Sequence, residues 1–301
     1  MVKSASLLVL TNIAVLITAG IVFELLGLPQ WLASRGIAAS LPSLLIISAV
    51  FGMAGSFISL LASKWIAKRS MRLRVLDAPQ SQTEQWLVQT VARQAQAAGI
   101  GMPEVAIYED ATPNAFATGA SRDKALVAVS TGLVRGMTTD EVEGVLAHEV
   151  SHIANGDMVA LTLIQGVLNT FVLFFSFIVG MLVDSFLRRG EDDRGPGIGS
   201  FVARMAAQVV FGMLASVVVM WFSRQREFRA DAGGARLASP NKMIGALERL
   251  KTRESAPLPD SLAAFGISTS KTGGGFARLF MTHPPLDDRI ERLRSNAGLA
   301  V

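Results

Sequence analysis

No cysteine occurs among the 301 residues. Its absence excludes a disulfide scaffold, a cysteine-ligated zinc site and a cysteine nucleophile, and it suits a cytoplasmic catalytic domain. Charge is scarce as well: only 17% of residues are Asp, Glu, Lys or Arg, against about 25% in an ordinary soluble protein. The deficit is concentrated in four stretches without one charged residue. These are Ser4–Phe23 (20 residues), Gly36–Ser63 (28), Met158–Val183 (26) and Met205–Ser223 (19). Uncharged runs of about 18 or more residues read as membrane spans, so a purely soluble domain is excluded. The other 208 residues are enough for a compact domain with its own core, which excludes a bare membrane bundle. There is no internal repeat and no low-complexity tract. The net charge of +4 does not point to nucleic acid, because the bases cluster beside the apolar runs, where they meet anionic lipid headgroups.

The placement of those bases predicts a topology. The first run follows only Lys3 and lacks a clear cleavage site before the second, so it reads as a retained anchor rather than a signal peptide. Arg35 is the one base between the first two runs, whereas Lys64, Lys68, Arg69, Arg72 and Arg74 follow the second. The positive-inside rule then places the chain after Ser63, and its N-terminus, in the cytoplasm. The last two runs form a hairpin whose loop carries Arg188, Arg189, Arg194 and Arg204, so charge alone does not make that loop external. The Glu191-Asp192-Asp193 run reads as a solvated loop.

The expected organisation is a pair of spans in 1–64, a catalytic domain in two pieces, 65–157 and 224–301, and a membrane hairpin over 158–223. In the first piece a helical pattern covers about 81–99, marked by Trp86, Leu87, Val91 and Ala92. β-prone runs follow at Val105–Tyr108, Ala115–Thr118 and Leu126–Val129, separated by turn residues. A helix starts near Thr138, where Thr138 and Glu141 fit a capping box, and runs to about Ala154 before Asn155-Gly156. The second piece is mostly helical with a loop at about 266–275. The fold class is therefore α+β: a multi-pass membrane protein with four predicted spans and a mostly helical catalytic domain holding a small sheet.

Chemistry concentrates in His148-Glu149-Val150-Ser151-His152, which contains two of the chain's three histidines. Residues four apart on a helix differ by about 40° around its axis, so both imidazoles can grip one ion while Glu149 stands beside it as base. A catalytic zinc needs a third protein ligand. Spacing of the metzincin type would require His at 158, which is Met158. If the helix continued, Asp157 would lie about 140° from His152 and point off the site, where it would solvate the helix end or bond behind a ligand. His283 is the remaining histidine. A stronger candidate is Glu227, with Asp231 four residues on; Glu227 would bind metal while Asp231 orients an imidazole. The alternative is a solvated acidic pair neutralised by Arg224, Arg226 and Arg229.

These motifs together resemble the HtpX-type membrane zinc endopeptidases, bacterial heat-shock relatives of the CAAX prenyl proteases. The resemblance rests on His148–His152 with Ala154-Asn155-Gly156-Asp157, on Glu227-Phe228-Arg229-Ala230-Asp231, on Asn114–Gly119 and on Thr282–Leu286. The placement of the apolar runs agrees, so it covers essentially the whole chain. Arg229 departs from the histidine common at that position. The resemblance implies a zincin-like domain with Glu227 as third zinc ligand beside His148 and His152. It further implies a place in the bacterial inner membrane, quality control of membrane proteins under stress, self-cleavage, and work beside an ATP-dependent membrane protease.

The ligands also constrain topology. His152 and Glu227 must meet, so the hairpin between them begins and ends on one side, close to the bilayer; membrane proteins and their juxtamembrane segments are the expected substrates. The expected reaction is peptide hydrolysis assisted by one Zn2+, with Glu149 as general base. His283 is the preferred oxyanion donor, Arg289 the second, and Tyr108, the only tyrosine, the sole tyrosine source. His283 has an alternative role as an inhibitory fourth ligand. Asn114, Ala115 and Phe116 begin a segment that can accept an extended substrate as an added strand. The competing functional reading is a catalytically silent membrane adaptor with a structural metal, against which the intact Glu149 argues. A transporter would carry ionisable residues inside its spans, and these have none.

Overall fold

The computed structural model describes Gly27 and residues 41–187, 198–254 and 283–297. The uncharged runs from the second onward lie within long helices, since no charged side chain interrupts their apolar character. These are α1 (Leu41–Ser70), α5 (Asp157–Leu187) and α6 (Ile198–Leu237), of 30, 31 and 40 residues. Each is long and apolar enough to cross a membrane. Among the described residues there are three such helices, not four; the first uncharged run, the 266–275 loop and Glu191–Asp193 lie outside the described residues.

The chain divides into two compact units, one made of 1–59 with 160–219 and the other of 60–159 with 220–301. In the first, α1 and α5 pack through Leu41, Leu45, Phe174 and Ile178. Gly52 allows a near-backbone approach, since a Cβ there would lie 2.5 Å from the Thr170 nitrogen. Asn169 donates to the Ser56 hydroxyl at 3.3 Å. Small residues and side-chain hydrogen bonds of this kind join helices where hydrophobic burial supplies no preference.

The second unit holds a four-stranded mixed sheet of β1 (Arg74–Val75), β2 (Glu104–Tyr108), β3 (Ala115–Thr118) and β4 (Leu126–Ser130), in the order β1-β2-β4-β3. β2 and β4 run parallel at its centre, and the outer pairs are antiparallel. All five residues of β4 are buried, as expected of a central strand that reads as a continuous apolar run. β3 is an edge strand.

Helices α2 (Gln82–Ala98), α3 (Thr131–Gly136), α4 (Thr139–Asn155), α7 (Pro240–Glu254) and α8 (Leu286–Asn296) complete the unit. α4 lies at the heart of the core: Val142, Val145, Leu146, Val150 and Ile153 pack with Leu87 and Val91 of α2 and with Val105, Ile107, Val127 and Val129 of the sheet. Both halves of the expected capping box form at its start.

Candidate metal centre and catalytic cleft

Three elements converge on His148 and His152. The first is α4 itself, where both side chains are buried. α4 ends at Asn155, and Gly156 takes the left-handed conformation (φ +71°) while its N–H bonds to the His152 and Ile153 carbonyls. That turn, cheap only for glycine, ends the helix whose continuation would point Asp157 away, and of its two expected roles selects the bond behind a ligand. Asp157 instead begins α5, is buried, and its Oδ2 lies 2.7 Å from His152 Nδ1. A carboxylate can only accept, so Nδ1 carries a proton and Nε2 is the nitrogen left to face inward.

The second element is α6. Glu227 is 0% exposed, with Oε1 3.2 Å from His152 Nε2 and Oε2 3.4 Å from His148 Nε2. One turn on, Asp231 Oδ1 lies 3.0 Å from His148 Nδ1. Each imidazole therefore has an aspartate behind it and Glu227 in front. α6 can come this close because of Gly233 and Gly234. A Cβ on Gly233 would lie 2.9 Å from Ser151 Cβ, and one on Gly234 would lie 3.2 Å from the His148 nitrogen.

The third element is α8 and the segment just before it. Arg289 is buried and donates twice to Asp231, Nε to Oδ2 at 2.8 Å and Nη2 to Oδ1 at 2.6 Å. Its Nη1 lies 3.5 Å from Glu227 Oε2. His283 Nδ1 approaches the same oxygen at 2.9 Å, although its side chain is 59% exposed. α8 is held to α7 by Met243, Ile244, Leu247, Ile290 and Leu293 and to α6 by Arg292 over the Phe228 ring.

His148, His152 and Glu227 offer two imidazole nitrogens and a carboxylate oxygen within 4.8 Å of one another, all buried. Both Glu227 oxygens face only imidazole and guanidinium nitrogens, at 2.9–3.5 Å, so this buried carboxylate depends on positive charge in front of it, which a cation would supply. The donor set therefore fits a divalent metal. Without one, protons take its place. Burial opposes charge on His152, but its bonds to Asp157 and Glu227 outweigh that and push its pKa up to about 9. His148 is also raised: burial acts against it, and the contacts with Asp231 and Glu227 prevail.

Beside the metal-ligand group lies a cleft of about 190 Å³. Glu149, Asn114, Ala115, His283 and Arg289 line it together with His148 and Glu227, and Leu133, Val145, Met243 and Leu247 supply an apolar wall. Tyr108 is not among its lining residues. Its ring packs at 5.9 Å from Phe116, in a cluster with Ala106, Leu126 and Ala128. Burial pushes its hydroxyl pKa up. Spacing alone leaves open which ligand Asp157 bonds and misses the glycine pair; the signals were Gly156 after the histidine helix and two consecutive glycines within a helical pattern.

Residues 81–297 match Peptidase family M48. The chain is 54% identical over 294 residues to Protease HtpX of Thioalkalivibrio sulfidiphilus, covering 97% of this chain and 99% of that one. It is 55% identical over 301 residues to Protease HtpX of Alkalilimnicola ehrlichii, covering 99% of each. Among solved structures, the crystal structure of S. mikatae Ste24p matches 97% of this chain and 67% of its own, with a TM-score of 0.61 and 17% identity. That last likeness concerns the fold.

Proposed function

From the premise that this chain belongs to peptidase family M48 and is an HtpX-type membrane metalloprotease, we propose that it is a zinc-dependent endopeptidase cleaving membrane proteins and their juxtamembrane segments, misfolded ones above all. The observation that carries this reading is the convergence of buried His148, His152 and Glu227 on one point, with Glu149 lining the adjoining cleft.

His148, His152 and Glu227 would hold the metal, and two imidazoles with a carboxylate favour zinc. The metal supplies Lewis acidity to the scissile carbonyl and to water. Glu149 then takes a proton from the attacking water and returns it to the leaving amine. His283, at the exposed rim, is placed to donate to the developing oxyanion. Arg289 has two of its donors committed to Asp231, so it serves chiefly to hold the aspartate behind His148.

Substrate would dock on β3. Ser130 N–H bonds to the Asn114 carbonyl and Asn114 N–H to the Ser130 hydroxyl, so Asn114 points its backbone toward β4. By strand alternation Ala115 and Ala117 turn theirs to the free edge. An extended peptide can pair with those two residues and pass the cleft.

Position supports membrane substrates. Asp157 immediately precedes the uncharged run that starts at Met158, and Glu227 lies four residues beyond Ser223 on a continuous α6, about 6 Å along the axis. The excess of bases after Ser63 favours a cytoplasmic face of the inner membrane. Partnership with an ATP-dependent membrane protease rests on the family resemblance alone.

Glu149→Gln decides the mechanism. It should retain metal and fold while cleavage of a membrane substrate falls by about 10²–10⁴-fold; near-normal turnover with metal bound would refute the assignment.

A further inference from the structure

The five bases that follow the second uncharged run are not equivalent in the folded chain. Lys64 and Lys68 both pair with Glu104, at 2.9 and 2.5 Å. Arg74 pairs with Glu84 at 2.7 Å. Arg69 and Arg72 are exposed, and among the described residues neither has an ion-pair or hydrogen-bond partner. Arg72 also has φ +51°, a region that favours glycine and disfavours a long side chain. An arginine kept where glycine would be easier points to a use for its charge outside the fold.

The rest of that helix face indicates which use. Ile58, Leu61, Trp65 and Arg69 succeed one another at three- and four-residue steps, hence along one side of α1, and Arg72 follows in the turn just beyond its last residue, Ser70; all are exposed, Trp65 by 69%. From aliphatic through indole to guanidinium, the stripe reproduces the order of hydrocarbon, interface and headgroup layers. α6 repeats the order independently. Leu214, Val218, Trp221, Gln225 and Arg229 are exposed at the same spacing, Trp221 by 56%.

We propose that Arg69 and Arg72, with Trp65, form a docking site for the phosphate of anionic phospholipid headgroups, and that Trp65 and Trp221 mark the hydrocarbon boundary on their helices. A guanidinium binds a phosphodiester through two parallel N–H donors, and the indole of Trp65 sits one helical turn away at the level of the glycerol backbone. Lys64 and Lys68, tied to Glu104, contribute to the fold instead. The site therefore selects headgroup charge.

The test uses the full chain in phosphatidylcholine vesicles carrying trace spin-labelled phosphatidylglycerol or spin-labelled phosphatidylcholine, and reads the motionally restricted fraction of each label. The wild-type chain should prefer phosphatidylglycerol, less so as salt rises. Arg69→Gln/Arg72→Gln should lose most of that preference, each arginine accounting for up to about fivefold. Arg135→Gln, on the exposed side of α3, should leave it intact, and an unchanged metal content confirms that the double variant folds. Equal association of both lipids with the wild type, or undiminished preference in the double variant, overturns the proposal. So does displacement by inorganic phosphate beyond that of chloride at equal ionic strength, which would assign the arginines to free phosphate.

Discussion

At the scale of single residues, the metal group is a set of side chains each held by another. His152 is oriented by Asp157, His148 by Asp231, and Asp231 by Arg289. Outer partners of this kind commonly account for about 10–100-fold in metal affinity. Asp157→Ala should therefore weaken zinc by that order in a chelator competition while Glu149 stays in place; unchanged affinity would show that Asp157 only caps α5. The raised pKa values give a second expectation. His152 keeps its proton below about 9, and a metal ligand must be unprotonated, so metal uptake at neutral pH should release protons. Affinity should rise as pH climbs toward about 9 and level off above it. Calorimetry in two buffers of different ionisation enthalpy measures the released protons, and identical apparent heats would contradict this.

Among elements, the decisive relation is between α4 and α6. α4 brings the imidazoles because its apolar stripe must face the sheet and α2, which turns the adjacent side toward α6. The approach of α6 is set by Gly233, where a methyl group would press on Ser151 Cβ, next to His152 in the chain. Gly233→Ala should cost about 1–3 kcal/mol from overpacking and lower zinc affinity, because Glu227 is carried away with the helix. Thermal melts of the metal-free and zinc-loaded chain would register both. Equal melting in both states would mean that the helices absorb the methyl group without moving.

For the whole molecule, the last two apolar helices do more than anchor. α5 starts at the residue that orients His152, and α6 carries Glu227 and Asp231, so residues on these two helices complete the metal group. The lack of native cysteine allows a clean map of its turn. Single cysteines introduced between Asp184 and Arg204 should react with an impermeant reagent added outside the cytoplasm; labelling from the cytoplasmic side alone would show that the hairpin does not cross.

What the amino-acid order determined by itself were features local in the chain: the apolar runs, the capped α4, the strand segments, and the paired histidines one helical turn apart. These depend on hydrophobic pattern, caps and a fixed period, all of which act within a few residues. Glu227 was legible only as a candidate, because spacing cannot say whether an acidic pair faces solvent or a metal. For Asp157 two roles stayed open, solvating the helix end or bonding behind a ligand, since its direction depends on a single left-handed glycine that ends one helix and starts another. The absence of a partner for Arg69 and Arg72 among the described residues, the closeness allowed by Gly233, and the burial of Glu227 among imidazoles were decided by tertiary structure. Each depends on which distant segments are packed together, and that is settled by the cooperative burial of the whole core rather than by any stretch of sequence.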